Sequence, residues 1–477
     1  MVKRLLVTTL LLASSAAFAS PRTVFVQLFE WPWKDIAREC EVYLGPAGFS
    51  AVQVSPPHEH IHFNNSWWER YQVVSYKLES RSGTEAEFAD MVRRCQNAGV
   101  DVYADAVLNH MTGIPGGTGS GGTSFTHYNY PGLYSYNDFH HCNRNGNDNI
   151  VNYSDLYELQ NCELVDLADL ATESPYVQQK MADYLNHLLD LGVNGFRLDA
   201  AKHIPAKDLA AITSRLKRSA YIYQEIIYDP SGPVKYSDYT YVGDVTAYDY
   251  PNRLGGSIKG KHLSSLMNMG QGYPASDDSI VFVTNHDLER TGDGSILRYN
   301  SADQNIYRLA QIFMLAYPYG YPQVYSGFSF TNYDEGPPVG TDLRTLGILD
   351  NNSRCSEPWT CEHRLPEVAA MVDFRNATDK AFYISNWWTN NSDLLSFSRG
   401  NLGFIVLNFS DRSVTQTFQT GLPKGSYCNL TGPSYVRGAK TCSDLSYTVD
   451  NYGWASVTLA PYSSLVLVNR TPSKKSK

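Results

Sequence analysis

No pair of cysteines is spaced C-x-x-C in this chain of 477 residues, which argues against a zinc centre and against a thioredoxin-like redox motif. No long run of lysine and arginine occurs before the extreme carboxyl tail, and the formal net charge is −9. Nucleic acid is therefore not an expected partner. Beyond the amino-terminal stretch no apolar run is long enough to cross a bilayer, so no membrane association is expected. Charged residues make up only 18% and hydrophobic residues 43%. That balance excludes global disorder and supplies material for a large core.

What is present begins with Lys3, Arg4 and the run LLVTTLLLASSAAFA. A charged start, a short apolar stretch and small residues at Ala17 and Ala19 read as a secretory signal peptide over residues 1–19. The mature protein is expected to be secreted and extracellular. In that compartment the eight cysteines are expected to form disulfides. Their number alone leaves the pairing open, although Cys355/Cys361 and Cys428/Cys442 are close in sequence.

From Thr23 to about Leu108, apolar strand-like runs (VFVQLF, FSAVQVS, VDVYADAVLNH) alternate with helical patterns (KDIARECEVYLG, TEAEFADMVRRCQNAG), the mark of parallel βα units. The alternation stops between His110 and about Asp169, in a stretch rich in Gly, Asn, Tyr and Ser. A structureless loop of that length tends to be functional, and it reads as an irregular insertion stapled by Cys142–Cys162. The alternation resumes with SPYVQQKMADYLNHLLDLG, where Ser174 can cap, Pro175 suits the first turn and Val177, Met181, Leu185 and Leu188 share one face. Strands are expected to end at Asp199, Glu225, Asp244, Asp287 and Ser326. After about Thr378, short alternating runs such as LLSFSRG and GFIVLNFS read as an antiparallel β sandwich. The expected fold is an α/β (β/α)8 barrel over 20–109 and 170–380. An inserted domain over 110–169 follows the third strand, a sandwich spans 381–470, and a basic tail occupies 471–477.

Three of those strand ends carry the chemistry. Asp199 closes GVNGFRLDAAKH, Glu225 follows YIYQ and Asp287 closes VFVTNHD. Carboxylates at the carboxyl ends of barrel strands converge on one mouth, and hydrolysis of a glycosidic bond needs carboxylates on both sides of it. Strand periodicity puts Arg197 on the same face as Asp199, and a guanidinium keeps a nucleophilic carboxylate ionised. Apolar Ile226 and Ile227 are expected to raise the Glu225 carboxyl, as a general acid requires. His286 adds a donor next to Asp287. Singly, each motif could be a structural ion pair or a solvated strand end.

DAVLNH (105–110), GFRLDAAKH (195–203), the Glu225 strand and VTNHD (283–287), in this order, resemble the signature regions of the α-amylase family of glycoside hydrolases. WWERYQ (67–72), EHRLPEV and LAYPYGY point to its animal-type members. The resemblance implies retaining endo-hydrolysis of α-1,4-glucans, with Asp199 as nucleophile, Glu225 as acid and base, and Asp287 as transition-state stabiliser. Retention implies the first two carboxyls about 5–5.5 Å apart. It further implies substrate contacts from Trp67, Trp68, Tyr71, Gln72, His110, Arg197, Lys202, His203 and His286. Calcium would be bound by side chains of Asn109 and Asp169 and carbonyls of Gln160 and His203. The implied disulfides are Cys40–Cys95, Cys142–Cys162, Cys355–Cys361 and Cys428–Cys442, in a protein expected to be a monomer. One position departs from the family. Animal-type members often hold an activating chloride between two basic residues and an asparagine, aligned here with Arg197, Asn285 and Gln323. A neutral amide at 323 cannot offset chloride desolvation, so chloride is not expected. The alternatives are a relative that transfers glucosyl chains or releases one short product, and an inactive carbohydrate-binding homologue. All three carboxylates are present, which disfavours the last.

Overall fold

Eight parallel strands close into a barrel in sequential order: β1 (Phe25–Leu28), β2 (Ala51–Val54), β3 (Asp101–Val107), β4 (Gly195–Asp199), β5 (Tyr221–Gln224), β6 (Asp244–Thr246), β7 (Ser279–Val281) and β8 (Tyr321–Ser326). The computed structural model describes residues 22–144, 146–433, 442 and 446–470. The expected signal segment 1–19 and tail 471–477 lie outside the described residues. The strands are short and apolar because each is buried on both faces, inside the barrel and beneath the helices. The helix Pro175–Asp190 shows how sequence places them. Val177, Met181, Leu185 and Leu188 are fully buried along one stripe, each contributing about 1.5–3 kcal/mol. Ser174 makes no side-chain cap bond there, so Pro175 alone marks the start.

Asp244 and Asp287 are corrections. Asp287, also expected to end a strand, lies in the segment after β7, which stops at Val281. Asp244 begins β6 instead of ending it, since pairing runs on through Val245 and Thr246. Its carboxylate pairs with the Tyr221 hydroxyl at the amino end of the barrel, away from the mouth.

The insertion between β3 and β4 has little regular structure. It holds a hairpin of Gly116–Thr118 and Ser124–Thr126, a helix Leu156–Asn161 capped by Asp155, and the Cys142–Cys162 disulfide. The other disulfides join Cys40 to Cys95, Cys355 to Cys361 and Cys428 to Cys442. The carboxyl-terminal part is all β. Ser385–Thr389, Leu394–Arg399, Gly403–Asn408 and Ser463–Val468 form an antiparallel sheet, and the pairs Val414–Gln419/Trp454–Leu459 and Gly425–Cys428/Ser446–Val449 make up the rest. Phe404, Val406, Phe418, Val457 and Leu467 share the core between them.

The backbone of β4 is specially shaped at both ends, the amino end and the mouth. A Cβ on Gly195 would meet the Tyr221 carbonyl at 2.6 Å, so only glycine lets β4 lie so near β5. Ala200, directly after Asp199, has φ +47°. That left-handed conformation costs about 1–2 kcal/mol for a residue with a Cβ, and its gain is an amide aimed into the site.

Candidate active site

Parallel registration brings Asp105 of β3 opposite Arg197 of β4. The Arg197 Nη1 lies 2.7 Å from Asp105 Oδ1 and 2.8 Å from Asp199 Oδ1, and Nη2 lies 2.8 Å from Glu225 Oε1. Three buried carboxylates thus meet on one buried guanidinium. Arg197 keeps the nucleophile and acid candidates side by side. Glu225 also accepts from the Ala200 amide, Oε2 at 2.8 Å. The Tyr248 hydroxyl lies 2.8 Å from Glu225 Oε1 and 3.1 Å from Asp287 Oδ2, and accepts from Asn285 Nδ2 at 2.9 Å. Having one proton, that hydroxyl bridges two carboxyls and donates to one at a time.

The electrostatics run against two sequence expectations, an Asp199 kept low by Arg197 and a raised Glu225. Burial pushes Glu225 up, but Arg197, the Ala200 amide and Tyr248 together outweigh it and hold the carboxyl below its ordinary value. Ile226 is buried in the core and Ile227 faces the cleft, so neither sets the polarity around the carboxyl. Burial, then the charge of Glu225, instead raises Asp199 well above the usual range and Asp287 to about 7. Burial lowers His110 to about 4 and His286 well below its ordinary value, so both rings are neutral.

Asp199, Glu225, Asp287, His110 and His286 line a 530 Å³ cleft together with Trp67, Trp68, Tyr71 and Gln72. Arg197, expected to touch substrate, does not line it and is taken up by the carboxylates. His286 is stacked between Phe29 and Tyr71, with centroids at 4.9 and 5.2 Å. Lys202 and His203 do not line this cleft. The Lys202 Nζ donates to the Ile227 carbonyl at its edge. The buried His203 ring lies 2.9 Å from the Leu159 carbonyl, at the joint with the insertion. Leu164, Val165, Leu167, Ile227 and Tyr333 complete the lining and were not singled out by sequence. Nor was Arg290, whose guanidinium sits 4.0 Å from the Phe330 ring and 5.2 Å from Trp67, and donates to the Tyr333 carbonyl. Trp67 Nε1 donates to that same carbonyl at 2.9 Å, which fixes one wall of the cleft.

Two of the four candidate calcium residues, Asn109 and Asp169, are in contact. Asn109 Nδ2 is 3.3 Å from Asp169 Oδ1, and both side chains are buried. The His203 ring lies 2.9 Å from the carbonyl of Leu159, the residue before Gln160, and the Gln160 side chain donates to the Tyr239 hydroxyl. Among the described residues the Asp169 carboxylate has His140 and Asn109 as side-chain partners and no lysine or arginine. A buried carboxylate, an amide whose oxygen and nitrogen are interchangeable in assignment, and nearby carbonyls form a donor set suited to a hard cation. The aligned chloride residues are otherwise engaged. Arg197 serves the carboxylates, Asn285 serves Tyr248, and Gln323 Nε2 donates to Gln27 Oε1 at 3.3 Å and to Gln53 Oε1.

Residues 41–226 match the family described as alpha amylase, catalytic domain, and residues 387–470 match the alpha amylase C-terminal all-beta domain. Pancreatic alpha-amylase 2a5 of Mus musculus is 43% identical over 475 residues, covering 92% of both chains. An alpha-amylase of Thermomonospora curvata is 44% identical over 459 residues, which cover 92% of this chain and 73% of the relative. Among solved structures, a glutamate-to-glutamine variant of alpha-amylase I from Eisenia fetida, in complex with maltohexaose, superposes with a TM-score of 0.88 at 38% identity. That match covers 94% of this chain and 98% of the other.

Proposed function

The chain belongs to the α-amylase family of glycoside hydrolases, and on that premise we propose that it cuts internal α-1,4-glucosidic bonds of starch-type glucans with retention of configuration. The observation that carries this reading is the sharing of Arg197 by Asp199 and Glu225 at 2.8 Å each. Two carboxyls held on one guanidinium are neighbours, as a nucleophile and an acid acting on one bond must be, and this supports the retaining arrangement. Asp199 attacks the anomeric carbon, and the glycosyl–oxygen bond breaks as Glu225 protonates the departing oxygen. Glu225 then takes a proton from water, which displaces Asp199. Arg197 favours the ionised Asp199 that attack requires, while Asp287, raised to about 7, can hold a proton that Tyr248 passes to Glu225. Asp287 and His286 grip the reacting sugar, while Trp67, Trp68 and Tyr71 supply flat faces for neighbouring ones.

Digestion of soluble starch in chloride-free buffer, followed by proton NMR, tests the reaction. The expected result is newly formed α-anomeric ends, appearing at a rate that added NaCl raises less than about twofold, since a neutral Gln323 cannot repay anion desolvation. Initial β-anomers would remove the retaining mechanism, and a strong chloride activation would remove the second claim.

Calcium, bound by Asn109, Asp169 and the carbonyls of Gln160 and His203, would tie the insertion to the barrel and so hold one wall of the cleft. At a free-ion level near 100 times Kd such a ligand contributes about 2.7 kcal/mol. Chelation is therefore expected to lower Tm by roughly 3 °C and activity with it. A melting curve unchanged by chelator would sink the calcium site. Four disulfides suit a secreted monomer acting outside the cell.

A further inference from the structure

The barrel interior beneath the mouth holds three buried glutamines, Gln27 of β1, Gln53 of β2 and Gln323 of β8. Buried amides must point their donors and acceptors consistently, and here one end of the row is fixed by charge. Asp105 is ion-paired with Arg197 and accepts from Tyr71, so it can only receive. Gln53 therefore turns Nε2 toward Asp105 Oδ2, at 3.5 Å, and presents Oε1 to the Tyr223 hydroxyl and to Gln323. Gln323 must answer with Nε2, which also reaches Gln27 Oε1 at 3.3 Å. That leaves Gln27 Nε2 facing His286 Nδ1 at 3.0 Å. An imidazole nitrogen that accepts a hydrogen bond carries no proton, so the ring proton must sit on Nε2. Nε2 is 3.5 Å from Asp287 Oδ1 and belongs to a ring that lines the cleft.

We propose that Gln323 is a positioning residue that acts through Gln27 to hold His286 as the Nε2–H tautomer, ready to donate to a sugar hydroxyl. The donor role rests on the glucan-cleaving reading above; the tautomer itself does not. In this row Gln323 acts through Nε2 alone, donating to Gln27 and to Gln53.

The test uses the full-length enzyme labelled with ¹⁵N, with the His286 ring assigned by comparison with His286→Phe. Wild type is expected to show the Nε2–H tautomer in the absence of ligand. Gln323→Leu should give a mixture of tautomers. Gln323→Glu, which can only accept when ionised, should turn Gln27 around and favour Nδ1–H. On maltoheptaose both variants should raise KM about tenfold, the effect of one lost hydrogen bond near 1.4 kcal/mol, with kcat changed less. An unchanged His286 tautomer in both variants overturns the relay. A changed tautomer with unaltered KM and kcat overturns its positioning role. If only one variant folds, its tautomer decides. Wild type that fails to cleave maltoheptaose at all would instead count against the enzymatic reading, leaving the tautomer readout intact.

Discussion

Glu225→Gln is expected to lower kcat on starch by about 10³–10⁴-fold, the upper range for a general acid, with KM changed by less than about threefold. The amide is the same size and can still accept from the Ala200 amide, so binding of the glucan chain to Trp67, Trp68 and Tyr71 should survive. What goes is the proton for the departing oxygen and the base for water. A second readout separates this from misfolding. The charge of Glu225 helps hold Asp199 and Asp287 above their ordinary values, so its removal should let both ionise at lower pH. The acid limb of the residual activity should therefore move down. A loss smaller than tenfold, or an acid limb that moves up, would take the acid role from Glu225.

The lines of the barrel were legible because parallel strands buried on both faces read as apolar runs, and because a charge at the end of such a run needs a reason. Asp199 and Glu225 stand out for that cause, and Arg197 because it shares a strand face with Asp199 two residues on. Asp105 is equally charged and fully buried, but it lies inside its strand. Its partner Arg197 is 92 residues away, and only strand registration joins them. Tyr248 is less visible still, since a tyrosine in AYDY has no periodic signal and matters only because its hydroxyl falls between two carboxyls. The direction of the Glu225 shift was misjudged from sequence for the same reason. Neighbours along the chain, Ile226 and Ile227, say little about neighbours in space, and the three groups that hold the carboxyl come from β4, the residue after it and the loop following β6. Cleft residues such as Val165, Tyr333 and Arg290 sit on irregular segments whose positions local pattern does not encode.

Arg197→Met should leave Asp105, Asp199 and Glu225 buried without their shared cation, and the size of the damage should depend on pH. Even with Arg197 present, burial holds Asp105 and Asp199 above the ordinary carboxylate range. A carboxyl raised in the folded state binds its proton more tightly there than in the unfolded chain. Its stabilising contribution is complete below the ordinary value and is lost as pH climbs through the folded one. For Asp287 that window runs from 3.8 to about 7. Without Arg197 the windows of Asp105 and Asp199 extend further upward, and Glu225 loses the main group that lowers it. At pH 5 the variant can take up protons and escape most of the penalty. At pH 8 it cannot, and the loss should approach about 3–5 kcal/mol, the usual cost of stranding a buried charge, or about 3–5 °C in Tm for a chain of this size. Calorimetry of both proteins at the two pH values is the measurement. A gap in Tm that is the same at pH 5 and pH 8 would mean that the guanidinium does not carry these carboxylates. The same substitution should also abolish turnover near neutrality, because a protonated Asp199 is no nucleophile.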